Sequence, residues 1–492
     1  MAWQGPLDKI DDFRYRIPQS FESAVIKERG LKMLVPGIIY SDETMMQAIR
    51  NDDSLFQVAN VATLPGIVGQ SLAMPDIHHG YGFAIGAVAA FDESHGVISP
   101  GGVGYDINCG VRLMRSNLPV RDILPRIEKL IDTMFNKVPS GVGSTGRVKL
   151  SNIQVDEVLS QGARWAVNNG YGWDEDLDVM EENGCLDSSE PGLVSKNAKS
   201  RGSNQLGTLG AGNHFLEVQQ VDRIYDAEAA KAFGIEELGQ TTIMIHTGSR
   251  GCGHQICTDY LDSMRRAVKK YSIALPDQQL MCAPIGTPEA QNYYLAMNSA
   301  ANFAWANRQL IMHWVRESFE AVFKQPAHKL GLQLIYDIAH NMAKREQHEF
   351  EGKKRWVYVH RKGATRAFGP GHVDIPERYR HVGQPVIIPG DMGTASYLLV
   401  GTEKAMQETW GSSCHGAGRQ MSRKASTRQH RADDVYRQLA DGGIYLRAKS
   451  KRVVAEEAPG AYKSVDEVVE ISHKAGIAKK VARLRPVGVV KG

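Results

Sequence analysis

Five short segments, spread from residue 101 to residue 418, set polar, metal-capable side chains among glycines and other small residues. The first is Gly101-Gly102-Val103-Gly104-Tyr105-Asp106-Ile107-Asn108-Cys109-Gly110, which places a carboxylate three residues from a thiol. The others are Gly212-Asn213-His214, His246-Thr247-Gly248-Ser249, Ala339-His340-Asn341 and Cys414-His415-Gly416-Ala417-Gly418. Glycine lets a backbone turn tightly and approach a ligand, but it packs nothing. One such segment is noise; five suggest a single polynuclear metal or phosphate site assembled from distant parts of the chain. The one weak zone, residues 168–204, has candidate site residues on both sides. Residues 1–492 are therefore expected to form a single domain, with 168–204 as a surface excursion.

At 492 residues the chain can bury a sizeable core. Its 42% hydrophobic and 23% charged residues are those of a soluble globular protein. With a net charge of only +3, an anionic partner must be held by local patches of Arg and Lys. The longest apolar run, Phe83 to Phe91, is far too short to span a bilayer, so no membrane role is expected. Met1-Ala2-Trp3-Gln4-Gly5 has no basic or apolar leader pattern. The six cysteines form no CxxC pair, so reduced thiols and a cytoplasmic setting are expected. Cys252 and Cys257, flanking His254, read as small buried thiols.

Strand-like runs, rich in β-branched or aromatic residues and bounded by glycine or proline, cover 81–91, 241–245, 332–338, 356–359, 385–388 and 397–400. Helical periodicity covers 120–135, 257–271 and a long, largely apolar 288–323. The irregular order predicts an α+β architecture over a doubly wound sheet, with the site in a central cleft formed by strand ends and loops. Thr242-Ile243-Met244-Ile245 runs into His246, and Leu334-Ile335-Tyr336-Asp337-Ile338 leads to His340. Strand ends hold side chains rigidly while facing a loop-lined cavity.

A thiolate, imidazoles and a carboxylate point first to zinc on ligand softness, while carboxylate and phosphate ligands would admit Mn²⁺ or Mg²⁺. The Gly-Ala-Gly after His415 is expected to form an anion-binding nest beside an imidazole, with Arg419, Arg423 and Lys424 close behind. His415 is thus as plausible a nucleophile for phosphorus as a metal ligand. The basic run His360-Arg361-Lys362-Gly363-Ala364-Thr365-Arg366 reads equally as a phosphate contact or a solvated turn. Gly141-Val142-Gly143-Ser144-Thr145-Gly146 matches GxGxxG but follows no strand, and no Walker loop is present. Adjacent His78 and His79 read as supporting or structural residues.

With these segments in place, the chain resembles the RtcB family of GTP-dependent RNA ligases, from Met74-Pro75-Asp76-Ile77-His78 to its C-terminal residues. The specific signals are Gly104 to Gly110, Leu209-Gly210-Ala211-Gly212-Asn213-His214-Phe215, His246-Thr247-Gly248-Ser249-Arg250-Gly251 and Ser413 to Arg419. The resemblance implies two Mn²⁺ held by Asp106, Cys109, His214, His246 and His340, with Cys109 bridging, in place of zinc. It implies His415 as the nucleophile that takes GMP from GTP. The implied guanylate pocket comprises Asn213, His214, Phe215, Leu216, Glu217, His340, Asn341, Pro389, Gly390, Asp391, Met392, Ser396, His415, Gly416, Ala417, Gly418, Tyr462 and Lys491. The implied reaction joins RNA 3′-phosphate or 2′,3′-cyclic phosphate ends to 5′-hydroxyl ends, in tRNA splicing or RNA repair, with archease as a partner the family often uses. The alternatives are a binuclear metal-dependent phosphoesterase using the same donors, and a non-catalytic RNA-binding protein.

Overall fold

The computed structural model describes residues 2–492. Two large sheets carry the chain. In the first, of seven strands, Ile67–His78 and Ile85–Asp92 pair antiparallel, followed by Lys353–Lys362 and Asn341–Phe350; Gly37–Tyr40 lies parallel on the other side. In the second, Gln333–Ala339, Gly110–Pro119, Gln240–Thr247, Phe215–Ile224 and Lys479–Lys491 lie side by side in that order, each antiparallel to the next. Ser396–Val400 and Pro385–Ile388 extend it. A short ribbon pairs Ala364–Arg366 with Ser412–Cys414. Gln333–Ala339 and Asn341–Phe350 belong to different sheets and only His340 separates them, so the chain crosses between sheets at that histidine.

Gln240–Thr247 is buried at every position, as befits a central strand covered on both faces. One cover is the 36-residue helix Pro288–Phe323, which is about 54 Å long. It starts where Thr287 caps Ala290 N–H ahead of Pro288, and it stops at Lys324 in the left-handed region, two residues before Pro326. Its interior is not uniformly apolar: Asn298, Asn302, Asn307, Arg308 and Gln309 are all buried. A buried polar group is costly unless bonded, and each of these side chains binds a loop. Asn302 donates to Leu159 O and Leu186 O, and Asn307 to Thr208 O and Gly248 O.

The architecture is mixed α and β, as expected, and the helix 288–323 has the anticipated limits. Other elements differ. The helix expected from 257 begins at Arg250, and Gly253 sits inside it because a β-carbon there would lie 1.9 Å from Ser249 Oγ. Residues 120–135 break at Leu124–Arg126, where Pro125 interrupts the helix. Tyr81 to Ala84 lie outside the strand that begins at Ile85. The segment 168–204 is not a simple surface excursion. Asp176 is buried against Arg316 at 2.6 Å, and Glu181 accepts from Lys344 Nζ and Ala339 N–H, both at 2.7 Å. Its acidic residues meet cations far along the chain, so composition alone misrepresented it.

Candidate active site

Strand register gathers the candidate ligands at one end of the second sheet. Ala339 pairs with Gly110, Gly110 with Thr247, and Phe215 with both His246 and Lys491. Cys109 immediately precedes Gly110, His214 precedes Phe215, and His340 follows Ala339. Because neighbouring strands alternate direction, starts and finishes fall together.

Two donor triads result, Cys109–His246–His340 and Asp106–Cys109–His214, and Cys109 is common to both. Cys109 Sγ lies 3.4 Å from His214 Nε2 and 3.4 Å from His246 Nε2, and His246 Nε2 lies 3.4 Å from His340 Nε2. Ligand atoms held at ~2.1 Å around one tetrahedral ion would be ~3.4 Å apart. His214 sharpens the fit. Its Nδ1–H donates to Leu209 O at 3.0 Å, which leaves the Nε2 lone pair facing Asp106 Oδ2 at 2.9 Å. Two lone pairs at that distance need a proton or a metal cation between them.

The electrostatics agree with ligand chemistry. Burial, with neighbouring imidazoles, holds His246 and His340 well below the ordinary histidine range, so both stay neutral. Burial and the Asp106 charge push the Cys109 thiol well up, a state that cation binding would reverse. At Asp106, burial raises the carboxyl, but a proton shared with His214 Nε2, together with Cys109 and the Arg250 charge, outweighs it, and the carboxyl falls to about 2. Gly248 leaves room for that carboxylate, since a β-carbon there would lie 2.5 Å from it.

His415 follows the ribbon strand Ser412–Cys414 and stands beside this cluster, its ring centroid 4.8 Å from that of His340. Asp76, fully buried, accepts from His415 Nδ1–H at 2.6 Å. It also accepts from the backbone N–H groups of His415 and Gly416, at 3.1 and 3.3 Å. The expected nest therefore forms partly around a protein carboxylate. Fixing the proton on Nδ1 leaves Nε2 as the free lone pair. Burial opposes ionisation of Asp76, yet His415 holds its pKa below the ordinary value. Sequence reasoning missed Asp76: it stood inside the Met74–His78 segment, but the adjacent histidines drew the attention. His78 is bonded to Asp76 O at 2.9 Å and burial lowers it to about 4.

A cavity of about 650 Å³ joins the two features. Asp106, Cys109, His246, His340 and His415 line it, with Asn213, Phe215, Asn341, Pro389, Gly390, Asp391, Met392, Gly416, Ala417, Gly418, Tyr462 and Lys491. Four expected residues lie outside that lining. His214 stands behind Asp106. Leu216 is wholly buried, between Phe215 and Glu217 in a strand where neighbours alternate faces. Glu217 is buried with Oε1 unpartnered, and burial pushes its carboxyl up to about 8. Ser396 Oγ accepts from Gly390 N–H at 3.1 Å, bracing the wall from behind. Asp391 turns its carboxylate onto Gly393 N–H and Thr394, so its side chain builds its own turn.

Glu457, which carried no sequence signal, is buried and anchors the remaining wall. It accepts from Tyr462 OH, from Arg419 Nη1 at 3.1 Å and from Arg423 Nε at 3.1 Å. The basic run 360–366 is neither a solvated turn nor an open phosphate contact. Arg361 is buried on Glu346 and Arg366 on Glu182, while Lys362 faces the cavity with Nζ donating to Phe83 O.

Residues 57–492 match the family described as tRNA-splicing ligase RtcB. Relatives bearing that same name include one from Thermococcus kodakarensis, 58% identical over 99% of both chains. Another, from Archaeoglobus fulgidus, is 57% identical over 100% of both. A third, from Methanococcus maripaludis, is 55% identical over 98% of this chain and 99% of its own.

Proposed function

The chain belongs to the RtcB family of tRNA-splicing ligases, and from that premise we propose how its cavity joins RNA ends. The reading is a GTP- and Mn²⁺-dependent ligase that connects an RNA 3′-phosphate, or a 2′,3′-cyclic phosphate opened to it, to an RNA 5′-hydroxyl, in tRNA splicing or RNA repair. The observation that carries it is the shared-thiol pair of triads with the Asp76-oriented His415 ring beside it.

Asp106, Cys109 and His214 would hold one ion and Cys109, His246 and His340 the other. Softness alone favours zinc; Mn²⁺ is the metal that the family resemblance implies. Bound there, the ions would supply Lewis-acid neutralisation of phosphate charge. The chain's own residues do the rest. Asp76 holds the proton on His415 Nδ1, and Nε2 attacks the α-phosphorus of GTP. A P–N bond forms and pyrophosphate leaves, giving a histidine–GMP phosphoramidate. An oxygen of the RNA 3′-phosphate displaces His415 and takes the GMP. The 5′-hydroxyl of the second RNA then attacks the original 3′-phosphorus, the strands join and GMP departs. Phe215, Tyr462 and Lys491 would seat the guanine; Lys491 Nζ lies 5.5 Å from the Phe215 ring centroid.

No helix among the described residues is long and apolar enough to cross a membrane. All six cysteines are free and buried, which suits a reducing cytoplasm. Archease remains the accessory partner to test.

α-Labelled GTP with Mn²⁺ should leave acid-labile label on the polypeptide, and His415→Ala should carry none. Joining of a 3′-phosphate RNA to a 5′-hydroxyl RNA should require GTP. Label retained by His415→Ala would refute the nucleophile, and GTP-independent RNA hydrolysis without covalent label would favour the phosphoesterase.

A further inference from the structure

Arg308 lies in the middle of the helix Pro288–Phe323 and is completely buried. A guanidinium carries five N–H donors in a rigid planar fork, and here all of them are used. Nε donates to Asp337 Oδ2 at 2.8 Å and Nη2 to Asp337 Oδ1 at 2.8 Å. Nη1 donates to Asn108 O at 2.8 Å and to Thr247 O at 2.9 Å, and Nη2 to Asn108 Oδ1 at 2.9 Å.

The acceptors fall on three segments, each of which ends in a candidate ligand. Asn108 directly precedes Cys109 and holds a left-handed φ of 50°. Thr247 directly follows His246, and Asp337 shares a strand with Ala339, the neighbour of His340. Cys109, His246 and His340 together form one of the two triads. A buried ion pair adds little net stability over well-packed apolar side chains. What this side chain does that an apolar one cannot is to tie three separate segments to one rigid plane.

We propose that Arg308 is a positioning residue for the Cys109–His246–His340 triad. Its fork fixes the spacing of the three ligand-bearing segments, so that a divalent cation meets preset donors. The inference rests on the proposed function in that the triad holds Mn²⁺. Arg112 Nε also donates to Asp337 Oδ2, at 2.7 Å, so Asp337 keeps a cationic partner when Arg308 is altered.

The test measures Mn²⁺ binding to the full chain, without GTP or RNA, from the paramagnetic resonance signal of free ion, alongside thermal unfolding. Arg308→Lys keeps the charge but cannot span three segments. Arg316→Lys is the control: on the same buried helix, Arg316 forks onto Asp176 at 2.6 and 2.7 Å, donates to Leu332 O and stacks on the Trp173 ring, touching none of the ligand-bearing segments among the described residues. Removing a partner that orients metal ligands weakens metal affinity by roughly 10–100-fold, and that loss is expected for Arg308→Lys and not for Arg316→Lys at a similar drop in melting temperature. Equal Mn²⁺ affinity in the two variants overturns the proposal. Should Arg308→Lys not fold, Asn108→Gly keeps the left-handed backbone and removes the Oδ1 acceptor of Arg308 together with the Nδ2 donor to Ala301 O; a several-fold weaker affinity supports the proposal, and unchanged affinity overturns it. A wild-type chain that binds no Mn²⁺ overturns the proposed function as well, whereas normal wild-type binding with matched variants sinks only the role of Arg308.

Discussion

The two walls of the cavity are held by different means. The metal-donor wall is the end of a sheet, where strand register brings Cys109, His214, His246 and His340 together and the Arg308 fork ties three of their segments. The opposite wall, with His415, Arg419 and Tyr462, is built from loops and a short ribbon held by two buried carboxylates, Asp76 and Glu457. Sheet register tolerates the loss of a ligand side chain, because the ladder of backbone bonds remains. A wall hung on one carboxylate does not. Ligand loss on the sheet wall should therefore act on the metal, and carboxylate loss on the loop wall on geometry and substrate.

The largest effect belongs to Cys109→Ala, which deletes the donor common to both triads. Ligation and Mn²⁺ stoichiometry should fall together while the fold persists, as read by metal analysis and circular dichroism. Full metal occupancy in that variant would remove the bridge from the argument. Asp76→Asn should come next. An amide cannot hold the His415 proton on Nδ1 as the carboxylate does, and the comparable loss of an orienting carboxylate in a histidine-based triad costs about 10⁴-fold in rate. A drop of at least ~10²-fold in GMP labelling is expected, with Mn²⁺ affinity unchanged. If affinity fell in step with the rate, the division between walls would be wrong.

That division also explains what could be read from sequence. Strand-like runs leading into His246 and His340 announced strand ends, and the periodicity of 288–323 announced its helix, because both signals are local. The holders of the loop wall are not local. Asp76 and His415 are 339 residues apart, and no pattern around either names the other. Arg308 sat in an apolar helical run where one cation says only that something bonds it. The excursion at 168–204 and the basic run at 360–366 failed for one reason: composition shows charges but not their partners. Paired with Arg316, Lys344, Glu346 and Glu182, those charges are mostly buried.

Glu457→Gln tests the loop wall more gently. It removes the charge that gathers Arg419, Arg423 and Tyr462, while leaving a side chain of the same size. Taking one partner from a buried ion pair costs about 3–5 kcal/mol when nothing relaxes, but Arg423 is half exposed and free to move into solvent. The expected result is a KM for GTP or RNA raised roughly 10-fold, with a smaller change in kcat. Unchanged KM would place Glu457 outside substrate binding.

The smallest effect returns to the sheet wall and to Glu217, whose Oε1 has no hydrogen-bond partner among the described residues. Burial lifts the Glu217 carboxyl to about 8, against the opposing pull of Gln219 and Lys491. In the unfolded chain a glutamate titrates near ~4.3. The folded state therefore keeps a proton that the unfolded state releases between those values. Its contribution to stability is fully present below the unfolded pKa and is lost as pH rises toward about 8. Glu217→Gln fixes the neutral form at every pH. Its melting temperature should match wild type near pH 4 and exceed it progressively from pH 5 to 8. A difference that does not vary with pH would mean that the carboxyl is already ionised against Lys491, and that the sheet wall too relies on a charge pair.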